Sequence, residues 1–303
     1  MSGTAALVTP AATTTTRRRG GVQLLRGFAR ADFVIGALLV AFWAFCALFP
    51  DALTSIDPTR IQKGGVSELG EPVPPGTGSF LLGTDALGRD FLSRVVHGAR
   101  VAMIIAIVPN ALALALAPVV GVTAGVMRGK VEFVLMRITE AIMVLPGFLI
   151  AMAVISTFGP STPVLILTLV AFSWTYTARV VYGETLRLRE MLFVEAALSV
   201  GAGRWRIAAT HIVPHLQPLL VVYFTMNAAF MVLLEAGLGF LGFGVQPPTP
   251  SWGLMLAESR DQFFYPWLII VPGLCLASLS IGFYLMGQGI QNAGRPAEKA
   301  VVL

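Results

Sequence analysis

Charge is what this sequence has least of. Asp, Glu, Lys and Arg make up 12% of its 303 residues, half the roughly 25% that covers the surface of a soluble domain. With a hydrophobic share of 56%, that deficit excludes a soluble enzyme, a disordered chain and a fibrous repeat, and places the chain in a bilayer. Lysine is nearly absent, at Lys63, Lys130 and Lys299, and no basic run is interleaved with exposed aromatics. The net charge of +5 therefore does not describe a nucleic-acid groove, and no nucleic-acid partner is expected. The two cysteines, Cys46 and Cys275, sit inside apolar runs without a CxxC pair, which excludes a disulfide framework and a thiolate metal site. A GxxxxGK[ST] phosphate loop is also missing, because Lys130 follows a glycine but Val131 stands where Ser or Thr is required. No Ser/His/Asp, paired-carboxylate or metal constellation appears, so no catalytic residue, cofactor or metal site is expected in this chain.

What is present is a series of long apolar runs. A bilayer core of ~30 Å needs ~20 apolar residues in a helix. Six stretches qualify: Phe33–Pro50, Val101–Met127, Ala141–Phe158, Val164–Val181, Leu216–Val245 and Pro266–Met286. The fourth is the shortest and most polar, with Ser173, Thr175, Tyr176 and Thr177. Irregular backbone cannot face lipid, so each stretch is expected to be a helix. With the N-terminus inside, fifteen basic residues fall on the cytoplasmic side and six outside, together the full 21. The positive-inside rule then predicts six spans with both termini cytoplasmic. Residues 1–30, with Arg17, Arg18 and Arg19, read as a disordered basic cytoplasmic tail. Residues 31–98 read as the first span and an outer loop, 99–288 as a five-helix core, and 289–303 as a second cytoplasmic tail.

Three segments between spans carry the remaining information. The outer loop ends in Gly83-Thr84-Asp85-Ala86-Leu87-Gly88-Arg89-Asp90. Thr84 or Asp85 can cap a helix, and Leu87, Phe91 and Val95 recur at helical spacing, which predicts an amphipathic helix on the outer membrane face. Between spans four and five, residues 182–214 include Glu195-Ala196-Ala197, Gly201, Arg204 and His211-Ile212-Val213-Pro214. Helix formers flank Gly201-Ala202-Gly203, so the segment reads as a helix–turn–helix with glycine at the turn. After span five, Gln246-Pro247-Pro248-Thr249-Pro250-Ser251-Trp252-Gly253 is stiff and non-helical, and Trp252 with Phe263, Phe264, Tyr265 and Trp267 fits an aromatic belt.

Taken together, these segments resemble the permease subunits of ATP-binding-cassette importers, specifically the C-type subunit of dipeptide, oligopeptide and nickel uptake systems. The Glu195-Ala196-Ala197…Gly201…Ile212-Val213-Pro214 spacing is similar to the importers' EAA loop, with Val213 where Leu is usual. The Gly83-Thr84-Asp85…Gly88-Arg89-Asp90 and Phe240-Leu241-Gly242…Gln246–Gly253 segments resemble motifs of the peptide and nickel branch. The resemblance covers about Leu82 to Gly287 and departs at Gly287-Gln288-Gly289, where a Gly-Asp pair is usual. It implies an all-α type I importer membrane domain and a B-type permease as heterodimer partner. It further implies two cytoplasmic ATPases that bind the ATP and Mg, and an extracytoplasmic substrate-binding protein. It makes Glu195, Ala196, Ala197, Gly201, Arg204, Ile212 and Pro214 the ATPase-coupling loop. Peptides are the leading substrate class, with nickel chelates or other small solutes as alternatives within the family. A self-sufficient secondary transporter is the alternative outside it, and the sparse intramembrane charge argues against that.

Two acids stand within or at the rim of spans. Glu140 lies one turn from Arg137, which predicts an ion pair. Glu235 is deeper in span five, where a charge costs ~3 kcal/mol unless it faces a cavity or a partner; it is the candidate for pathway lining or subunit contact. Gly237-Leu238-Gly239-Phe240-Leu241-Gly242 matches GxGxxG but sits at the end of a span, so close packing explains it better than a dinucleotide. His211 and His215 have a metal-ligand spacing but no third ligand.

Overall fold

A computed structural model describes residues 31–293. The basic tail expected over 1–30 and the last ten residues lie outside the described residues. Its regular elements are all helices, with only isolated β-bridges beside them among the described residues. Helix α1 is Ala31–Leu48 and α2 the short Pro50–Leu53. A long irregular loop leads to α3, Phe91–Met127. Then come α4, Lys130–Val144, α5, Gly147–Phe158, and α6, Thr162–Arg189. A hairpin of α7, Leu192–Ser199, and α8, Arg204–Ile207, passes through a π-helical turn at Ala208–Ile212 into α9, Val213–Phe240. The short α10, Trp252–Glu258, precedes α11, Trp267–Ala293.

Among the described residues, five helices are long and apolar enough to cross a membrane, and α4 with α5 makes a sixth if that bent pair is one crossing. The expected third span, Ala141–Phe158, is thus not a single helix. Its two parts meet at 83°, and Pro146 is the cause. The residue before a proline is pushed out of the α region, and Leu145 has ψ of 135°, so α4 stops at Val144 and α5 restarts at Gly147. The fourth span runs eight residues past its expected end at Val181, through Arg189.

Two expected boundaries also move. The division at 98/99 falls inside α3, whose 37 residues extend about 55 Å at 1.5 Å per residue. That is well beyond a ~30 Å hydrocarbon core, so the first turns of α3 belong to the loop region. At the other terminus α11 continues through Ala293. Ile290 is buried, and a Cβ at Gly289 would lie 2.6 Å from Phe33 Cβ, so the start of the expected tail is packed helix.

Small residues set the packing. Between apolar helices in lipid the gain comes from close van der Waals contact, and small side chains allow it. A Cβ on Gly121 of α3 would stand 2.6 Å from the Ala178 carbonyl of α6, and one on Gly36 of α1 would stand 2.5 Å from the Gly282 carbonyl of α11. Ala99, Ala102, Ala106, Ala228 and Ala236 fill the core where α3, α9 and α11 meet α1. The Trp43 indole N–H donates to Ser278 Oγ at 2.9 Å, which ties α1 to α11. The opposite face of α1, with Ile35, Leu38, Phe42 and Phe45, is exposed, as a lipid-facing surface requires.

Candidate functional site at the two ends of the bundle

The loop between α2 and α3 does not form the expected amphipathic helix. Gly83 and Gly88 both have φ of +76°, a conformation that costs an L side chain energy and glycine little. They fold 84–90 into a tight turn closed by an antiparallel bridge between Thr84 and Asp90. Thr84 is no helix cap: its buried hydroxyl accepts from the Val73 amide at 2.8 Å and donates to the Gly65 carbonyl at 2.6 Å. Asp85 accepts from the Leu87 and Arg89 amides at 2.9 Å, as an Asx turn does. The cap of α3 is Asp90, which accepts from the Ser93 amide at 2.7 Å. Burial pushes the Asp90 carboxyl above the usual carboxylate range, and the Ser93 amide pulls it back. Phe91 and Val95 are buried whereas Leu87 is exposed, so the helical phase begins only after Asp90.

This turn carries a buried four-charge cluster. Arg89 Nε lies 2.6 Å from Asp85 Oδ2, and Arg89 Nη2 lies 3.0 Å from both oxygens of Glu258. Arg94, whose side chain is 0% exposed, reaches Glu258 Oε2 at 2.6 Å and Asp85 Oδ2 at 3.2 Å. The Nη1 that faces Asp85 makes no hydrogen bond among the described residues, so that contact is an ion pair only. Two guanidinium groups and two carboxylates balance in charge, which such burial requires. Glu258 was not singled out from the sequence, yet it is the sole acid between Glu235 and Asp261. That isolation was the available signal.

Trp252 completes the junction. It is 1% exposed, so it does not belong to an interfacial belt. Its indole N–H donates to the Val95 carbonyl at 2.9 Å, and its ring occupies the space a Cβ on Gly98 would need. Phe263 and Phe264, by contrast, are 77% and 90% exposed. Ser251 caps α10 by accepting from the Leu254 amide at 3.1 Å. Gln246 donates to the Gly242 and Gly244 carbonyls of its own loop, and Pro247 and Pro248 are exposed. The loop folds back on the end of α9: a Cβ on Gly253 would meet Ala236 at 2.8 Å and one on Gly244 would meet Gly239 at 2.5 Å. Of the glycines in the GxGxxG match, Gly239 is a packing position, where a Cβ would lie 3.1 Å from Gly253, whereas Gly242 makes the turn, with φ of +88° and open space where a Cβ would stand.

That fold-back corrects the expectation for Glu235. Its side chain is 2% exposed and lies under Gly244, so it neither lines an open path nor reaches a subunit surface. One carboxylate oxygen has no hydrogen-bond partner among the described residues. Glu140 meets its predicted partner Arg137 at 3.2 Å and also Arg179 of α6 at 2.6 Å.

At the opposite end, α7 and α8 form the hairpin. The Ala202 amide donates to the Ala197 carbonyl at 3.0 Å and the Gly201 amide to the Leu198 carbonyl at 2.9 Å. With Gly201 at φ +81°, this is a Schellman motif closing α7, with glycine at its left-handed position. Val194, Ile207 and Ile212 are buried against Val122, Val126 and Leu188, and Arg189 Nη1 donates to the Gly125 carbonyl at 2.5 Å. Ile212 therefore anchors the hairpin from inside the subunit, while Pro214 is exposed at the start of α9. Glu195, Ala196, Gly201 and Arg204 are exposed and Ala197 half-buried. Leu192, Val200 and Trp205 beside them are 82%, 85% and 55% exposed, an apolar concentration that marks an interaction surface. His211 and His215 stack on Phe193, and no metal-binding group of three His, Cys, Asp or Glu occurs among the described residues.

A bundle of membrane-crossing helices, with loops knotted at one end and an apolar hairpin at the other, is a multi-pass membrane component. Residues 117–293 match the family of binding-protein-dependent transport system inner membrane components. The chain belongs to that family and is a multi-pass protein of the bacterial inner membrane. It is 33% identical over 269 residues to a glutathione transport system permease protein of Pectobacterium atrosepticum, covering 88% of this chain and 86% of the relative. A di/tripeptide transport system permease protein of Pseudomonas aeruginosa is 32% identical, over 91% and 92% of the two chains. An oligopeptide transport system permease protein of Mycobacterium tuberculosis is 33% identical, over 87% and 88%.

Proposed function

We propose that this chain is one of two membrane subunits of an ATP-driven peptide importer, with six spans and both termini in the cytoplasm. The observation that carries the reading is its match to glutathione, di/tripeptide and oligopeptide permeases over nearly their whole length. A B-type permease would complete the path, two ATPases would bind and hydrolyse ATP with Mg, and an extracytoplasmic binding protein would deliver the peptide. The lack of a GxxxxGK[ST] loop supports assigning ATP hydrolysis to a partner. The hairpin at 192–212 would be the coupling element. Its exposed Leu192, Val200 and Trp205 are apolar anchors for a protein surface, and small Ala196 permits close approach. ATP-driven closure of the ATPases would then move α6 and α9, the helices that flank the hairpin, and alternate access to the path.

Orientation and partners are tested together. Single cysteines at Gly76, Ser161 and Thr249, in a background lacking Cys46 and Cys275, are expected to react with an impermeant maleimide on intact cells. One at Val200 is expected to react only after the cells are opened. Purification in mild detergent should bring down a second polytopic subunit and the ATPases. Labelling of position 200 from outside would reverse the topology, and isolation of this chain alone in active form would remove the partners.

A further inference from the structure

A cavity of about 500 Å³ opens among α5, α6 and α9, beside the break at Pro146. Its wall holds four aromatic rings, Phe148, Phe172, Tyr176 and Phe230, together with Ser173 and Asn227, and no charged side chain. Tyr176 and Asn227 each lie about 21 Å along a 28-residue helix, the midpoint, reached from opposite ends of the bundle. The cavity is therefore midway along both helices, within the apolar part of the bundle. Asn227 donates through its Nδ2 to Thr177 Oγ1 at 3.3 Å, which leaves its carbonyl oxygen available. The Tyr176 hydroxyl makes no hydrogen bond among the described residues, and its ring faces Tyr223, centroids 6.2 Å apart.

Hydroxyl and amide groups left open at that depth are costly against hydrocarbon, so this wall faces something that hydrogen-bonds. An aromatic cavity of this volume with a few placed polar groups has the character of a ligand pocket. Without a charged residue it offers nothing to a peptide's ammonium or carboxylate terminus. It does suit an apolar side chain, with an amide donor and acceptor next to it.

We propose that this cavity is a subsite on the transport path that seats one uncharged side chain of the passing peptide, with Tyr176 and Asn227 hydrogen-bonding the adjoining amide groups. The assignment rests on the peptide-uptake reading. It makes Ser173, Phe172 and Phe230 determinants of side-chain size.

The test uses the complete transporter with its binding protein in proteoliposomes, and compares initial uptake of trialanine and Ala-Phe-Ala. Ser173→Trp, which fills the cavity from its rim, should slow Ala-Phe-Ala by about tenfold or more, the size of effect a mis-sized apolar pocket gives, and leave trialanine nearly unchanged. A tripeptide with a benzophenone side chain, photoactivated during turnover of the unmodified transporter, should label the chain within 147–151, 168–176 or 227–234. Equal slowing of both peptides by Ser173→Trp, or labelling confined to other segments, would overturn the subsite. So would unchanged uptake of both with no label in the cavity, the result expected if a lipid chain fills it. Failure of the unmodified assembly to take up either peptide would instead overturn the peptide-uptake reading itself.

Discussion

Arg94→Leu is expected to lower the stability of the purified subunit by about 3–5 kcal/mol, the usual result of removing one partner from a buried ion pair. Arg94 is fully buried and touches both carboxylates of the cluster. Its loss leaves Asp85 and Glu258 with Arg89 alone, one negative charge in excess. Glu258→Gln should cost less, because the Glu258 side chain keeps 27% exposure and water screens the remaining imbalance. The double variant Arg94→Leu/Glu258→Gln restores neutrality and should recover part of the loss, a coupling that a double-mutant cycle measures directly. Arg94→Lys should behave like the leucine variant in kind, since one ammonium cannot reproduce a planar fork directed at two carboxylates. Thermal unfolding in detergent reads all four. Equal stability of wild type and Arg94→Leu would mean that the cluster does not hold the 83–90 turn to α10.

The second large effect is expected at the hairpin. Gly201 has φ of +81° and open space where a Cβ would stand, so Gly201→Val introduces no clash. It acts through backbone strain alone, on the order of 1–3 kcal/mol, and opens the Schellman turn. Ala196→Trp tests the surface itself. Ala196 is exposed, whereas Ala197 is half-buried against the subunit, so a tryptophan at 196 obstructs a partner without disturbing the fold. Both variants are expected to reach the membrane, lose uptake and retain less ATPase on purification. Unchanged uptake and unchanged ATPase recovery in both would make the hairpin a connector only.

These two sites also mark how far the sequence could be read. The Gly201 turn was legible because everything that makes it is local: helix formers on each side, a glycine between them, and carbonyls three to five residues back. Five of the six apolar stretches were legible for the same reason, since length and hydropathy are properties of a short window. The third was not, because hydropathy averages over Pro146 and a proline changes the direction of a helix without changing its polarity. The charge cluster was half legible. Asp85, Arg89 and Arg94 are neighbours in sequence, but the ion pair from Arg94 to Glu258 spans 164 positions, and no periodicity connects them. Trp252 was misread by composition, which places tryptophan at the membrane surface; the glycine at 98 that admits its ring lies on another helix. Glu235 was recognised as an unusual acid, but its cover, Gly244, is set by the fold-back of a loop whose prolines reveal stiffness and not direction.

The most direct measurement of the central claim is uptake by proteoliposomes that contain this chain, its partner permease and the ATPases, with labelled di- or tripeptide and the binding protein outside. The expected result is peptide accumulation that requires enclosed Mg-ATP and the binding protein and disappears when this chain is left out. Peptide accumulation by liposomes holding this chain alone, driven by an ion gradient without ATP, would contradict it.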